Sequence, residues 1–236
     1  KRVISVFLCV LCVISSISFI VSAKENKEYT SDNFLSVADG IIAWKKADNG
    51  SEPDGYLIND KYLENAGTTP GDWYPIALGR LGIQDNNEGY LAVIKDRVEE
   101  RYRESGRLSA AKATEWHRIA LAVLAMGGDP TNFGTDENGA PINLIADGTY
   151  DRGKTTPLGR QGINGWIWGL ITLDSMRYAV PDGAYNTRDD IIVEIISKQL
   201  SDSGFALSSD DADPDITAMA ITALAPYYNS EKTYSY

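Results

Sequence analysis

The chain has 236 residues, 43% hydrophobic and 23% charged, with 22 Lys and Arg against 33 Asp and Glu. These proportions exclude wholesale disorder and leave length for one domain or two small ones around a sizeable core. A net charge of −11 and a pI near 4.6 exclude a nucleic-acid backbone binder and disfavour docking on anionic lipid.

Lys1 and Arg2 open an apolar run over residues 3–20, followed by Val21-Ser22-Ala23 and the polar stretch Lys24-Glu25-Asn26-Lys27. A basic start, an apolar middle and small closing residues predict an export signal over residues 1–23, cut after Ala23. The alternative is an uncleaved anchor, for which the run is at the short edge. In either case the rest of the chain is expected outside the membrane, secreted or at the cell surface, with residues 24–31 as a short linker. Both cysteines, Cys9 and Cys12, fall inside the signal, so the mature chain has no disulfide and no thiolate ligand. With His117 the single histidine, no zinc site is expected. Loss of Lys1 and Arg2 takes the net charge to −13.

Beyond the linker, Phe34, Ala38, Ile41 and Ile42 recur at helical spacing. Four segments then superpose without gaps: residues 72–81 (DWYPIALGRL), 115–124 (EWHRIALAVL), 164–173 (NGWIWGLITL) and 215–224 (DITAMAITAL). Their sixth position is always small: Ala77, Ala120, Gly169, Ala220. Their tenth is Leu81, Leu124, Leu173, Leu224, and their first is polar: Asp72, Glu115, Asn164, Asp215. Segments apolar nearly all round are buried on both sides, and a fixed small residue lets neighbouring backbones approach. More polar helices separate them. Leu91, Ile94, Val98 and Tyr102 mark the second; a short helix near residues 142–146 interrupts a Gly-, Asp- and Pro-rich loop. Thr187 caps another, with Asp189 and Asp190 in its first turn, that buries Ile192, Ile195 and Ile196 and ends near Gly204.

The pattern predicts an all-α chain of about four outer–inner helix pairs over residues 32–230, with residues 231–236 beginning the next repeat. If the pairs curve towards closure the result is an α/α toroid. Its inner helices run parallel, and Asp72, Glu115, Asn164 and Asp215 gather at one mouth. Trp73, Trp116, Trp166 and Trp168, with Tyr74, stand in the first positions of inner helices. There they either stack on a sugar or planar ligand beside the acids and Asn164, or fill the wide end of the barrel. Asp210, Asp211, Asp213 and Asp215 are rich in oxygen ligands but lack the glycine and terminal glutamate of an EF-hand loop, so they read as solvated helix-start charge. No metal or cofactor is expected. Asn49-Gly50-Ser51 fits a glycosylation triplet.

Gln199-Leu200-Ser201-Asp202-Ser203-Gly204-Phe205 leading to Asp213-Pro214-Asp215-Ile216, and Gln161-Gly162-Ile163-Asn164-Gly165 before Trp166, resemble prenyltransferase/squalene-cyclase repeats. The mature chain is similar to secreted bacterial proteins carrying this toroid, related in fold to the intrinsic factor and transcobalamin α-domain. The resemblance implies fold more specifically than activity. Protein prenyltransferases hold zinc through a cysteine, which the mature chain lacks. Class II terpene cyclases protonate an alkene through Asp-x-Asp-Asp. The matching residues here are Asp213-Pro214-Asp215-Ile216, so Asp215 takes the acid's place without its last carboxylate neighbour. The competing reading makes Asp213 an N-cap, Pro214 a first-turn residue and Asp215 a dipole partner. A polysaccharide lyase, using Tyr74, His117, Arg118 and Asn164, is a further alternative that the net negative charge opposes unless a local basic patch intervenes. The expected function is a secreted, non-enzymatic toroidal module. It is expected to bind a corrinoid-like small molecule or a glycan through Asp72, Trp73, Tyr74, Glu115, Trp116, His117, Asn164, Trp166, Trp168 and Asp215. The alternative is a cyclase-like enzyme with Asp215 catalytic.

Overall fold

The computed structural model describes residues 31–152 and 157–228; the expected export signal and the expected start of a further repeat lie outside the described residues. Nine α-helices are present among these residues: α1 (Ser31–Asn49), α2 (Asp60–Leu63), α3 (Thr69–Leu81), α4 (Asn87–Ser105), α5 (Thr114–Ala125), α6 (Leu144–Gly148), α7 (Ile163–Asp174), α8 (Arg188–Ile196) and α9 (Pro214–Leu224). A lone bridge between Thr135 and Pro141 is the sole β pairing among them. The chain is all-α, and α3, α5, α7 and α9 coincide with the four superposable segments.

Local chemistry sets the ends of these helices. Pro70 sits in the first turn of α3, and Gly82, at φ +69°, turns its backbone out of the helix. Asn86 caps α4 by accepting from the Gly89 N–H at 3.1 Å. Thr187 and Asp190 form a reciprocal capping box at α8. Asp213 caps α9, accepting from the N–H groups of Asp215 (2.8 Å) and Ile216 (3.0 Å), with Pro214 in the first turn. Neither Ala113 nor Gly162 can cap α5 or α7 with a side chain.

The inner helices pack in chain order, α3 on α5, α5 on α7 and α7 on α9, while α6 lies against α5 and α8 against α7. α5 buries Trp116, His117, Ile119, Ala120, Ala122 and Val123, and α7 buries Ile163, Ile167, Leu170 and Leu173. Each large aliphatic buried this way contributes about 1.5–3 kcal/mol. Two glycines set the spacing. A Cβ on Gly79 would stand 2.0 Å from the Ala125 carbonyl oxygen, and one on Gly165 would stand 1.9 Å from that of Leu158. In the expected small-residue column, Ala120, Gly169 and Ala220 are buried, but Ala77 is exposed and faces a groove beneath α1.

The inner helices all run the same way. Asp72 and Arg118 join the starts of α3 and α5, while Gly79 meets Ala125 at their ends. Gln161, just ahead of α7, accepts from the N–H of Thr114 at 3.2 Å, placing the start of α7 beside that of α5. Tyr227, just past α9, donates its hydroxyl to Asp174 at the end of α7 at 2.7 Å.

The outer elements follow the expected pattern with three departures. α4 buries Tyr90, Ile94, Val98 and Tyr102 at four-residue spacing, reaching α3 through Tyr90 and α5 through Tyr102. α8 buries Ile191, Ile192 and Ile195 but stops at Ile196 rather than near Gly204, because residues 197–204 turn back, with the Leu200 N–H bonded to the Gly204 carbonyl at 2.9 Å. α6 begins two residues later than expected, where Asn143 accepts from the N–H groups of Ile145 and Ala146. α1 departs furthest: no residue in it is buried, and Phe34 is 62% exposed. Its apolar stripe lies along a groove of about 220 Å³ shared with Tyr74, Ala77 and Leu81 of α3. α4 bridges two inner helices, whereas α1 faces one, so its stripe stays half open. Among the described residues no helix is long and apolar enough to cross a membrane.

Candidate functional site

The parallel inner helices bring their starts together around a cleft of about 310 Å³. Thr69 and Trp73 come from α3, Thr114, Glu115 and Arg118 from α5, Asn164 and Trp168 from α7, and Met219 from α9; Lys112 from the loop ahead of α5 and Gln161 from the 3-10 turn ahead of α7 complete it. Trp73 and Trp168 form an aromatic pair, with ring centroids 5.7 Å apart and planes tilted by 57°.

Beneath the rings lies a buried charge network. Asp72 has no exposed surface; its Oδ1 accepts from the Gly67 N–H (2.7 Å) and the Tyr90 hydroxyl (2.8 Å), and its Oδ2 from Arg118 Nε (2.8 Å). The other guanidinium nitrogens of Arg118 donate to Thr69 Oγ1, the Gly67 carbonyl and both oxygens of Glu115. All five of its N–H groups therefore have acceptors, the arrangement a buried arginine needs. Arg101 adds a longer contact to Glu115 Oε2 at 3.5 Å.

Burial pushes the Asp72 carboxyl up, against the pull of Arg118, Tyr90 and the Gly67 N–H. Burial acts the same way on Glu115, but the hydrogen bonds and charge of Arg118, with Arg101 and Lys112 behind it, hold that carboxyl below its ordinary value. Burial would lower Arg118, yet Glu115 and Asp72 keep it above its ordinary value, so the guanidinium stays charged. The cleft thus combines the Glu115–Arg118 ion pair, the amides of Gln161 and Asn164, and two indoles.

Of the residues expected at the mouth, Trp73, Glu115, Asn164 and Trp168 line the cleft, and Asp72 braces it from below. The rest lie elsewhere. Tyr74 stands edge-on to Tyr62, with ring centroids 6.4 Å apart, and lines the groove under α1. Trp116 is buried and donates its Nε1–H to the Tyr102 hydroxyl at 2.8 Å, which in turn donates to Asp147. His117 is wholly buried, its Nε2 2.7 Å from the Gly148 carbonyl. Burial lowers that imidazole to about 4, against the Gly148 hydrogen bond and assisted by nearby Arg152, so it is neutral near pH 7. Trp166 packs over Gly159 in the turn ahead of α7.

Asp215 is exposed and is not among the cleft residues, while Asp213 is occupied as a cap. Helical rotation explains the split. Consecutive positions at a helix start point about 100° apart, so only those on the face turned to the bundle's open end enter the cleft. Among the described residues no three His, Cys, Asp or Glu side chains stand close enough to hold a metal ion.

Arg118, which the sequence offers only under the lyase alternative, completes the site together with Lys112 and Gln161. A detectable signal for Arg118 was a full charge inside the otherwise apolar stretch IALAVL and its flanks, which demands a buried partner. Lys112 sits in a loop whose path no periodicity reveals, and Gln161 ends a 3-10 turn (Leu158–Gln161) ahead of α7. Comparison with protein-family models, curated proteins and solved structures finds no match to this chain.

Proposed function

We propose that this chain is a set of α/α-toroid repeats of the secreted type and that it binds a small molecule or glycan, without catalysis, in the cleft at the inner-helix starts. One observation carries the reading: the paired indoles of Trp73 and Trp168 line one cleft with the ion-paired Glu115 and Arg118 and with Lys112, Gln161 and Asn164. Flat apolar faces beside directional polar groups suit a ring with hydroxyls at its edge. The common direction of the inner helices supports the toroid, and the apolar run before Val21-Ser22-Ala23 supports export.

The test is a thermal-shift screen of the full chain with oligosaccharides and corrinoids. A ligand at a hundredfold its Kd stabilises by about 2.7 kcal/mol, a shift of roughly 5–11 °C for a chain of this size. Trp168→Ala abolishes that shift while leaving the helical circular-dichroism signal. A shift that survives Trp168→Ala, or no shift with any probe, overturns the reading.

A further inference from the structure

The hydrogen-bonding polarity of the cleft narrows its ligand. Both carboxylates are ion-paired from within: Asp72 by Arg118, with Gly67 and Tyr90 also donating to it, and Glu115 by two guanidinium nitrogens at 2.8 and 3.0 Å with Arg101 behind. Gln161 spends its Oε1 on the N–H and hydroxyl of Thr114, which leaves its NH₂ for the cleft. Thr69 Oγ1 already accepts from Arg118, so its own hydroxyl hydrogen is left to donate. Lys112 is exposed at the rim and forms no ion pair within 4 Å among the described residues.

The cleft therefore offers an ammonium, an amide NH₂ and a hydroxyl as donors against one open acceptor, the buried Asn164 Oδ1, while its carboxylates are already ion-paired. Two carboxylates, two guanidinium groups and Lys112 give a local charge of one positive unit, inside a chain of net charge −11. A donor-rich, locally cationic surface selects an acceptor-rich, anionic ligand at contact range, where salt screens the negative charge spread over the rest of the molecule. Resting on the binding reading above, we infer that the cleft takes an acidic saccharide, its ring against Trp73 and Trp168 and its carboxylate at Lys112. Gln161 and Thr69 donate to the ring hydroxyl or ether oxygens. The volume of about 310 Å³ is at the small end for ligand sites and accommodates a short terminal stretch rather than a long internal one.

The experiment titrates the full chain with cellotetraose and with the same tetrasaccharide carboxylated at C6, following tryptophan fluorescence at low salt and again at about 0.5 M salt, where rim charges are screened. The carboxylated sugar binds about three- to fivefold more tightly at low salt, the range of a partly exposed ion pair. Raised salt and Lys112→Gln each bring the two affinities together, while Lys112→Arg preserves the preference. Lys112 is exposed, so its variants fold. Equal affinities in the wild type, or a preference that survives Lys112→Gln, overturn the inference while leaving the binding reading standing. Failure of both sugars to bind overturns the inference and removes the glycan from the proposed function.

Discussion

Replacement of Asp72 by alanine removes the one carboxylate that three elements share. The wild-type side chain is fully buried and accepts from Arg118 Nε, the Tyr90 hydroxyl and the Gly67 N–H, so its loss leaves three donors without an acceptor. Arg118, 7% exposed, keeps Glu115 but loses its deepest partner. Breaking a buried pair from one side costs about 3–5 kcal/mol, because the surviving charge is left desolvated. For a chain of this length that is a fall in Tm of about 6–20 °C. Urea unfolding at pH 7, followed by circular dichroism, measures the change as a shift in midpoint at constant slope. The double variant Asp72→Ala/Arg118→Met closes the cycle: with both members of the pair gone its cost falls short of the sum of the two single variants, by a coupling of about 1–3 kcal/mol. A cost below about 1 kcal/mol for Asp72→Ala, or a double variant worse than the sum of its parts, refutes the shared-carboxylate account.

Three further outcomes follow from the geometry. His117 has a folded-state value of about 4, below that of an unfolded histidine, so its contribution is whole above about pH 6.5 and fades as pH falls towards 4. That window is worth about 3 kcal/mol, and a flat stability profile between pH 6.5 and 4.5 contradicts it. Gly79→Ala drives a methyl against the Ala125 carbonyl and destabilises by about 1–3 kcal/mol, whereas Gly40→Ala, with open space around its Cβ in the middle of α1, stabilises by about 0.5–1 kcal/mol; chemical denaturation of the two variants reads the contrast. Arg152 is buried with its guanidinium 4.0 Å from the Trp116 ring centroid, and its Nε and Nη2 lack acceptors. Arg152→Met is therefore neutral to within about 1 kcal/mol or stabilising, and a loss above about 3 kcal/mol by the same assay excludes that view.

The inner helices were legible because their signal is redundant. Ala120, Gly169 and Ala220 and the leucines four positions on repeat in segments too apolar to be anything but interior. The stripe Ile94–Val98–Tyr102 and the Thr187 cap were equally plain, since each rests on a local period or a local hydrogen bond. Site membership was harder to read. Asp72, Trp73 and Tyr74 are neighbours in sequence, yet one is buried under the cleft, one forms its wall and one faces α1, because each step along a helix rotates the side chain by about 100°. Knowing that a residue starts an inner helix leaves that angle open. Lys112 was hidden for a different reason: it acts from a loop, where no repeat constrains position, whereas Gln161 stands in a legible motif that does not say which way its amide points.

Three of the polar ties between successive units point backwards along the chain. Arg118 reaches back to Asp72, Thr69 and Gly67; Gln161 reaches back to Thr114; Tyr227 reaches back to Asp174. Each unit is thus fastened by a residue that a ribosome makes about fifty residues later. During synthesis the newest helix pair waits, unfastened, for its successor to emerge. A stall or nick late in the chain therefore loosens only the last completed pair and leaves the earlier ones tied.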